Sequence, residues 1–198
     1  MSAKNEFTLF EFDEFARWLT SLQVSRDIRW LQNHHTYIPS YAHFDGDNYL
    51  LLLRSMEAGH LDSGLSAIAQ HLTTFPDGKI ALCRDLDQIP AGIKGANTYG
   101  VCIEHLGNFD RQKDVMSDAQ RQTILRLNAL LCRKFGLLPG TDTIVYHHWY
   151  DLVTGERTDG AGTTKSCPGT HFFGGNSVRA CRKYFIPGVK EALRGCPE

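Results

Sequence analysis

Phe12, Phe15, Ala16, Leu19 and Leu22 recur at intervals of three and four residues, which predicts an amphipathic helix from about Leu9 to Leu22. Thr8-x-x-Glu11 reads as its capping box. Glu11, Asp13 and Glu14 in its first turns argue against attraction to an anionic lipid surface. Asp27 to His35 then carries Ile28, Trp30 and Leu31 into a histidine pair and reads as a strand. Thr36 to Gly46 is a loop rich in Tyr, Pro and His, a groove wall or an ordinary surface connection. Asp47 is placed to cap a helix running to about Ala58, with Leu50, Leu51, Leu53 and Met56 as its apolar residues.

Leu65 to Phe75 and Lys79 to Cys83 read as two strands joined at Pro76-Asp77-Gly78. Asp85 to Asn97 is a loop. Tyr99 to Leu106 is apolar almost throughout, as a central strand is. Ser117-x-x-Gln120 opens a helix carrying Ile124, Leu127, Leu131 and Phe135, and Gly136 ends it. Thr143 to His148 is a further strand, with Val145 and His147 on one face. A last helix starts near Asn176, buries Val178, Cys181, Tyr184 and Phe185, and is broken or kinked at Pro187. The pattern predicts one three-layer α/β (α+β) domain over 1–198: a central mixed sheet of about five strands covered by helices, with 1–26 as an N-terminal helical extension.

The chain has 198 residues, 42% hydrophobic and 22% charged, an ordinary globular balance. A formal charge of −1 and the lack of a basic or stacked-aromatic run argue against nucleic acid. No apolar run is long enough to span a bilayer. The first residues, Met1-Ser2-Ala3-Lys4, show no signal-peptide core, so the expectation is synthesis in the cytoplasm, or an extracellular protein whose leader has been removed. The expected state is a monomer. Six cysteines (Cys83, Cys102, Cys132, Cys167, Cys181, Cys196) form no CxxC pair, which argues against a structural zinc finger. All but Cys167 read as free and structural.

The chemistry gathers between Thr143 and Asn176. A histidine pair is followed by a Gly-, Thr- and Asp-rich loop and then Lys165-Ser166-Cys167-Pro168-Gly169. Imidazole and thiolate are side chains that zinc prefers. Alternation lets only one of His34 and His35, and one of His147 and His148, face a given metal. Taken alone, such a Cys is usually a small hydrophobe and such a His a surface or core residue. Two histidines and one thiolate would leave zinc a fourth position, as catalytic sites do. Glu104, on the apolar strand, is either half of an ion pair with Arg84 or Arg29 or a general base. Lys165 offers a cation for an oxyanion.

Asn33-His34-His35-Thr36, Asp77-Gly78-Lys79-Ile80, Gly100 to Gly107 (G-V-C-I-E-H-L-G), Ile144 to His148 (I-V-Y-H-H) and Lys165 to Gly169 occur in an order that resembles the zinc-dependent N-acetylmuramoyl-L-alanine amidases. This type 2 amidase family includes phage lysozymes and peptidoglycan recognition proteins. The resemblance covers about Asp27 to Gly175 and implies a peptidoglycan recognition protein-like fold. It implies hydrolysis of the amide between N-acetylmuramic acid and L-alanine, with zinc as cofactor and peptidoglycan as substrate. It carries the metal ligands onto His34, His147 and Cys167, the oxyanion cation onto Lys165, and the residue that assists water onto Glu104. An endolysin, a recycling enzyme and an excised catalytic domain all fit it.

The chain departs from the family twice. Where phage-lysozyme-like members carry a catalytic tyrosine, seven residues before the Asp of the D-G pair, this chain has Gln70, so Glu104 is expected to act as base alone, with His105 or Gln70 next to examine. The loop from His147 to Cys167 is also much longer than in the short phage enzymes, and offers Asp151, Arg157 or Asp159 to a stem peptide. The alternative reading is a recognition module without catalysis. Another zinc hydrolase is disfavoured because no H-E-x-x-H is present.

Overall fold

The computed structural model describes residues 6–195. Cys196 and Met1 to Asn5 lie outside the described residues. The centre is a six-stranded sheet of β1 (Thr8–Phe10), β2 (Trp30–His35), β3 (Leu72–Thr74), β4 (Ile80–Leu82), β5 (Gly100–His105) and β6 (Ile144–Tyr146). Their spatial order is β1-β4-β3-β5-β2-β6. β5 runs parallel to β2 and β3, and β2 parallel to β6, while β4 is antiparallel to β1 and β3. Helix α1 (Phe12–Ser21) follows β1. Strands that run parallel need crossover connections, and each helical one here skips a strand: α2 (Tyr49–Asp62) lies between β2 and β3, which flank β5, and α3 (Asp118–Lys134) between β5 and β6, which flank β2.

Strand alternation sorts the sheet into two faces. Leu31, Leu72, Ile80, Val101 and Ile103 join one apolar cluster with Phe15 and Leu19 of α1 and with Ile124, Leu127 and Leu131 of α3. Ala81 faces the other way, into a cluster with Tyr49, Leu52, Leu53 and Met56 of α2. The three-layer mixed α/β architecture is therefore the one the sequence predicts, with one more strand.

The α3 face also buries a connected set of polar groups. Asn33 and Asn128 exchange amide hydrogen bonds at 2.9 and 3.0 Å. His105 Nε2–H donates to Asn33 Oδ1 at 3.0 Å, and its Nδ1 accepts from Thr74 Oγ1 at 2.9 Å. Gln120 Nε2 donates to the carbonyls of Thr74 and Leu106. An unmade partner here would cost about 1–3 kcal/mol, so this network fixes α3 against the ends of β2, β3 and β5.

Several local expectations are corrected. Thr8 belongs to β1, and the capping box is Glu11 with Glu14, so the helix starts at Phe12; the stretch before residue 26 adds an edge strand to the sheet as well as a helix. Helix α2 is capped at Asn48, runs to Asp62, and buries Tyr49, Leu52, Leu53 and Met56. Leu50 and Leu51 are exposed, because a run of four leucines carries no period that marks its inner face. Strand β3 is only Leu72–Thr74, and 65–71 is irregular. β6 ends at Tyr146, and His147–Trp149 is a 3₁₀ turn. The last helix is capped by Ser177 and runs as α4 (Val178–Ala180), a π-helical turn (Cys181–Phe185) and α5 (Ile186–Gly195). The wider π turn accommodates Pro187, which has no N–H to give and would crowd an α-helical carbonyl, so the helix continues past it. Tyr184 is exposed, contrary to its predicted inward place.

Candidate active site

His34 on β2 and Glu104 on β5 are register partners, as are Gln32 and Cys102 two residues earlier. All four therefore point to the face opposite α3. His34 Nδ1 lies 3.9 Å from Glu104 Oε1 and 3.5 Å from Cys167 Sγ. The His147 ring meets the His34 ring edge-on, with centroids 5.0 Å apart. One ligand atom from each of His34, His147 and Cys167 falls within 4.8 Å of the others. Chain positions more than 130 residues apart meet because β2 and β6 are parallel neighbours and the 165–169 loop folds back on their ends.

That loop is held by its backbone. His148 N–H donates to the Cys167 carbonyl at 2.8 Å, and His148 Nδ1–H to the Lys165 carbonyl at 2.8 Å. Asn176 Nδ2 donates to the Ser166 carbonyl at 2.8 Å, and Ser166 Oγ to Asp110 Oδ2 at 2.9 Å. Sequence reasoning set His148 aside as the residue facing away and passed over Asp110 and Asn176. Alternation allowed only one of the pair to face a metal and the family resemblance chose His147; neither foretold that His148 clamps the thiol loop. The other second member, His35, accepts from Phe109 N–H through Nδ1 at 3.1 Å.

These side chains line a cavity of about 550 Å³ that includes His34, Glu104, His147, Lys165 and Cys167. A second cavity of about 340 Å³ shares Thr36, His60 and Glu104 with it. Gln70 is fully buried beside this second space, with Nε2 on Thr73 Oγ1 at 3.1 Å and Oε1 unpartnered. Gly92 covers the far side of His34. A Cβ there would stand 2.3 Å from Gln32 Oε1, 2.6 Å from Cys102 Sγ and 3.1 Å from His34 Nε2.

Burial sets the electrostatics. It drives the His34 imidazole well below its ordinary pKa and lowers that of His147 to about 4, with the Lys165 charge acting in the same sense. Both rings are neutral at pH 7, as metal ligands must be. Burial raises the Cys167 thiol well above its usual range and the Glu104 carboxyl to about 8, with Lys165 opposing the shift at Glu104. Glu104 has no ion pair with Arg84 or Arg29: Arg84 donates to the carbonyls of Ile68 and Ile89, and Arg29 pairs with Asp27. Its Oε2 and His34 Nε2 have no hydrogen-bond partner among the described residues. Two neutral imidazoles and a thiol converging at this spacing are a donor set that fits zinc.

Other expectations fall away. His105 is locked in the α3-face network and is not among the residues lining either cavity, so it is not a reserve base. Asp151 Oδ1 accepts from Val153 and Thr154 N–H and its Oδ2 from Thr163 N–H. Arg157 pairs with Asp159 and Asp142 and lies over the Trp149 ring. All three loop residues offered to a stem peptide are engaged in contacts within the protein, and none of them lines either cavity. The described cysteines other than Cys167 are free and buried, as expected.

The fold is similar to that of LysCS, an endolysin N-acetylmuramoyl-L-alanine amidase from Clostridium intestinale (20% identity, TM-score 0.56, covering 74% of this chain and 78% of that one). It is also similar to Drosophila PGRP-LB (19% identity, TM-score 0.59, 76% and 79%), and to a variant of PGRP-LB in complex with tracheal cytotoxin (20% identity, TM-score 0.59, 77% and 81%). No curated protein sequence matches the chain. The N-acetylmuramoyl-L-alanine amidase family profile matches residues 24–170, which spans every strand of the sheet but the first together with His34, Glu104, His147, Lys165 and Cys167; the chain belongs to that family.

Proposed function

We propose that the protein is a zinc-dependent N-acetylmuramoyl-L-alanine amidase, which hydrolyses the amide joining the lactyl group of N-acetylmuramic acid to L-alanine in peptidoglycan. The observation that carries this reading is the meeting of His34, His147 and Cys167 within 4.8 Å of one another beside the half-buried Glu104, whose Oε2 has no hydrogen-bond partner among the described residues. Those three side chains would hold zinc. Bound there, zinc supplies Lewis acidity, polarising a carbonyl and acidifying water, and its charge favours the carboxylate form of Glu104. Glu104 takes the proton of the attacking water. Lys165, at the mouth of the same cavity, stabilises the negative charge that grows on the carbonyl oxygen. Glu104 then returns a proton to the leaving nitrogen of L-alanine. Gln70 stands where relatives carry a tyrosine and offers no acid, so the proton passes through Glu104 alone.

Recognition without catalysis is the second reading, favoured by the similarity to peptidoglycan recognition proteins. The two separate on purified peptidoglycan. Amidase action releases new α-amino groups in proportion to enzyme and time. Stoichiometric binding with no new amines would establish recognition only.

A further inference from the structure

The segment that leaves β2 is strained at its tip. Ile38 N–H donates to the Thr36 carbonyl at 2.7 Å, closing a three-residue γ-turn, and the central residue, Tyr37, has φ of 62°. The positive-φ γ-turn is rare, and a bulky side chain in it is an outlier. The turn is held from both sides. Thr36 N–H donates to the His105 carbonyl at 3.1 Å, Tyr37 N–H to the Gly107 carbonyl at 3.0 Å, and Gly107 N–H to Thr36 Oγ1 at 2.9 Å.

Burial does not explain the conformation. Tyr37 is 50% exposed and Ile38 68% exposed. The turn is the partition between the two cavities: Thr36 lines both, Tyr37 lines the larger and Ile38 the smaller. The Tyr37 ring stands edge-on to His35 at 5.8 Å, and the His35 ring is itself held by Phe109 N–H. An aromatic ring is thus steadied at the mouth of the candidate active site by a backbone geometry that costs stability, the pattern of a functional constraint.

We propose that Tyr37 is a recognition residue whose ring receives a pyranose of the glycan strand. The assignment rests on the amidase reading and deepens it. A stem peptide offers mainly amides and charges. A pyranose offers a flat C–H face about the size of a phenol ring, and its polarised C–H groups suit the negative face of an aromatic ring.

The test is calorimetric binding to zinc-loaded Glu104→Gln protein, which separates recognition from turnover. One ligand is a muramyl peptide; the other is the same peptide carrying a D-lactyl group without the sugar. Adding Tyr37→Gly should weaken the muramyl peptide about tenfold and leave the lactyl peptide unchanged. Relief of the positive φ should keep the melting temperature at or above that of the parent. Tyr37→Phe should bind both ligands as the parent does. Equal weakening of both ligands, or a lower melting temperature with unchanged discrimination, would overturn the assignment and make Tyr37 structural. A parent that binds neither ligand would overturn the substrate reading along with it.

Discussion

His34 and Glu104 face each other across two parallel strands, with Nδ1 and Oε1 3.9 Å apart and their Cα atoms in register. Sheet pairing, rather than a loop, sets the separation of a candidate metal ligand and a candidate base. Such a pair is positioned to the precision of the backbone ladder.

Glu104→Gln keeps the shape and removes the proton acceptor. Zinc content should stay at one per chain, while turnover should fall by about 10²–10⁴, the range for a lost general base. Metal analysis and turnover on the same preparation check this, and unchanged turnover would move the base role to another residue.

Cys167→Ser replaces a thiolate donor with a hydroxyl that ionises far less readily. Zinc affinity should drop by at least about 100-fold, with amide hydrolysis lost alongside it. Competition against a chromogenic chelator measures the affinity. Wild-type affinity would mean that the third ligand lies elsewhere.

Much of this site was legible in the sequence because it sits on strand ends. Alternation lets one histidine of each pair face a metal, the family resemblance picks His34 and His147, and these two do converge with Cys167. Glu104 stood out as a carboxylate in an apolar strand. The supporting contacts were not legible. Gly92, His148 and Asp110 act through loop backbone, where no period relates residue type to position. The first strand was hidden because Thr8-Leu9-Phe10 runs directly into a strong helical stripe. The exposed face of α2 was misassigned because Leu50 to Leu53 is apolar on every side of a turn.

Gly92→Ala should be disruptive in proportion to what its Cβ meets. The nearest atom, Gln32 Oε1, has little freedom to move because Gln32 Nε2 is fixed on the Ala96 carbonyl at 2.7 Å. We expect a loss of about 1–3 kcal/mol, the usual cost of overpacking, together with weakened zinc retention through His34. Gly59→Ala, on α2 with no atom within 4 Å, is the control and should stabilise by about 0.5–1 kcal/mol. Equal melting temperatures for the two variants would contradict the contact.

Acid should destabilise the metal-free protein. Burial lowers His71 and His105 to about 3, whereas in the unfolded chain they titrate near about 6.5. Between those values the unfolded chain holds protons that the folded chain does not. Stability contributed by these groups is therefore complete above about pH 6.5 and lost as pH falls toward 3, by about 1.4 kcal/mol per unit per histidine. Glu104, raised to about 8, works in the opposite direction but is one group against His35, His71, His105 and His147 together. Denaturant midpoints at pH 7.5, 6.0 and 5.0 should fall in that order; a flat or rising series would contradict it.

The most direct measurement is mass spectrometry of the soluble fragments released from purified peptidoglycan, with chelator, without it, and after zinc is restored. The account predicts free stem peptides beginning at L-alanine, absent with chelator and recovered with zinc. Fragments cut at a different bond, or none in any condition, would contradict it.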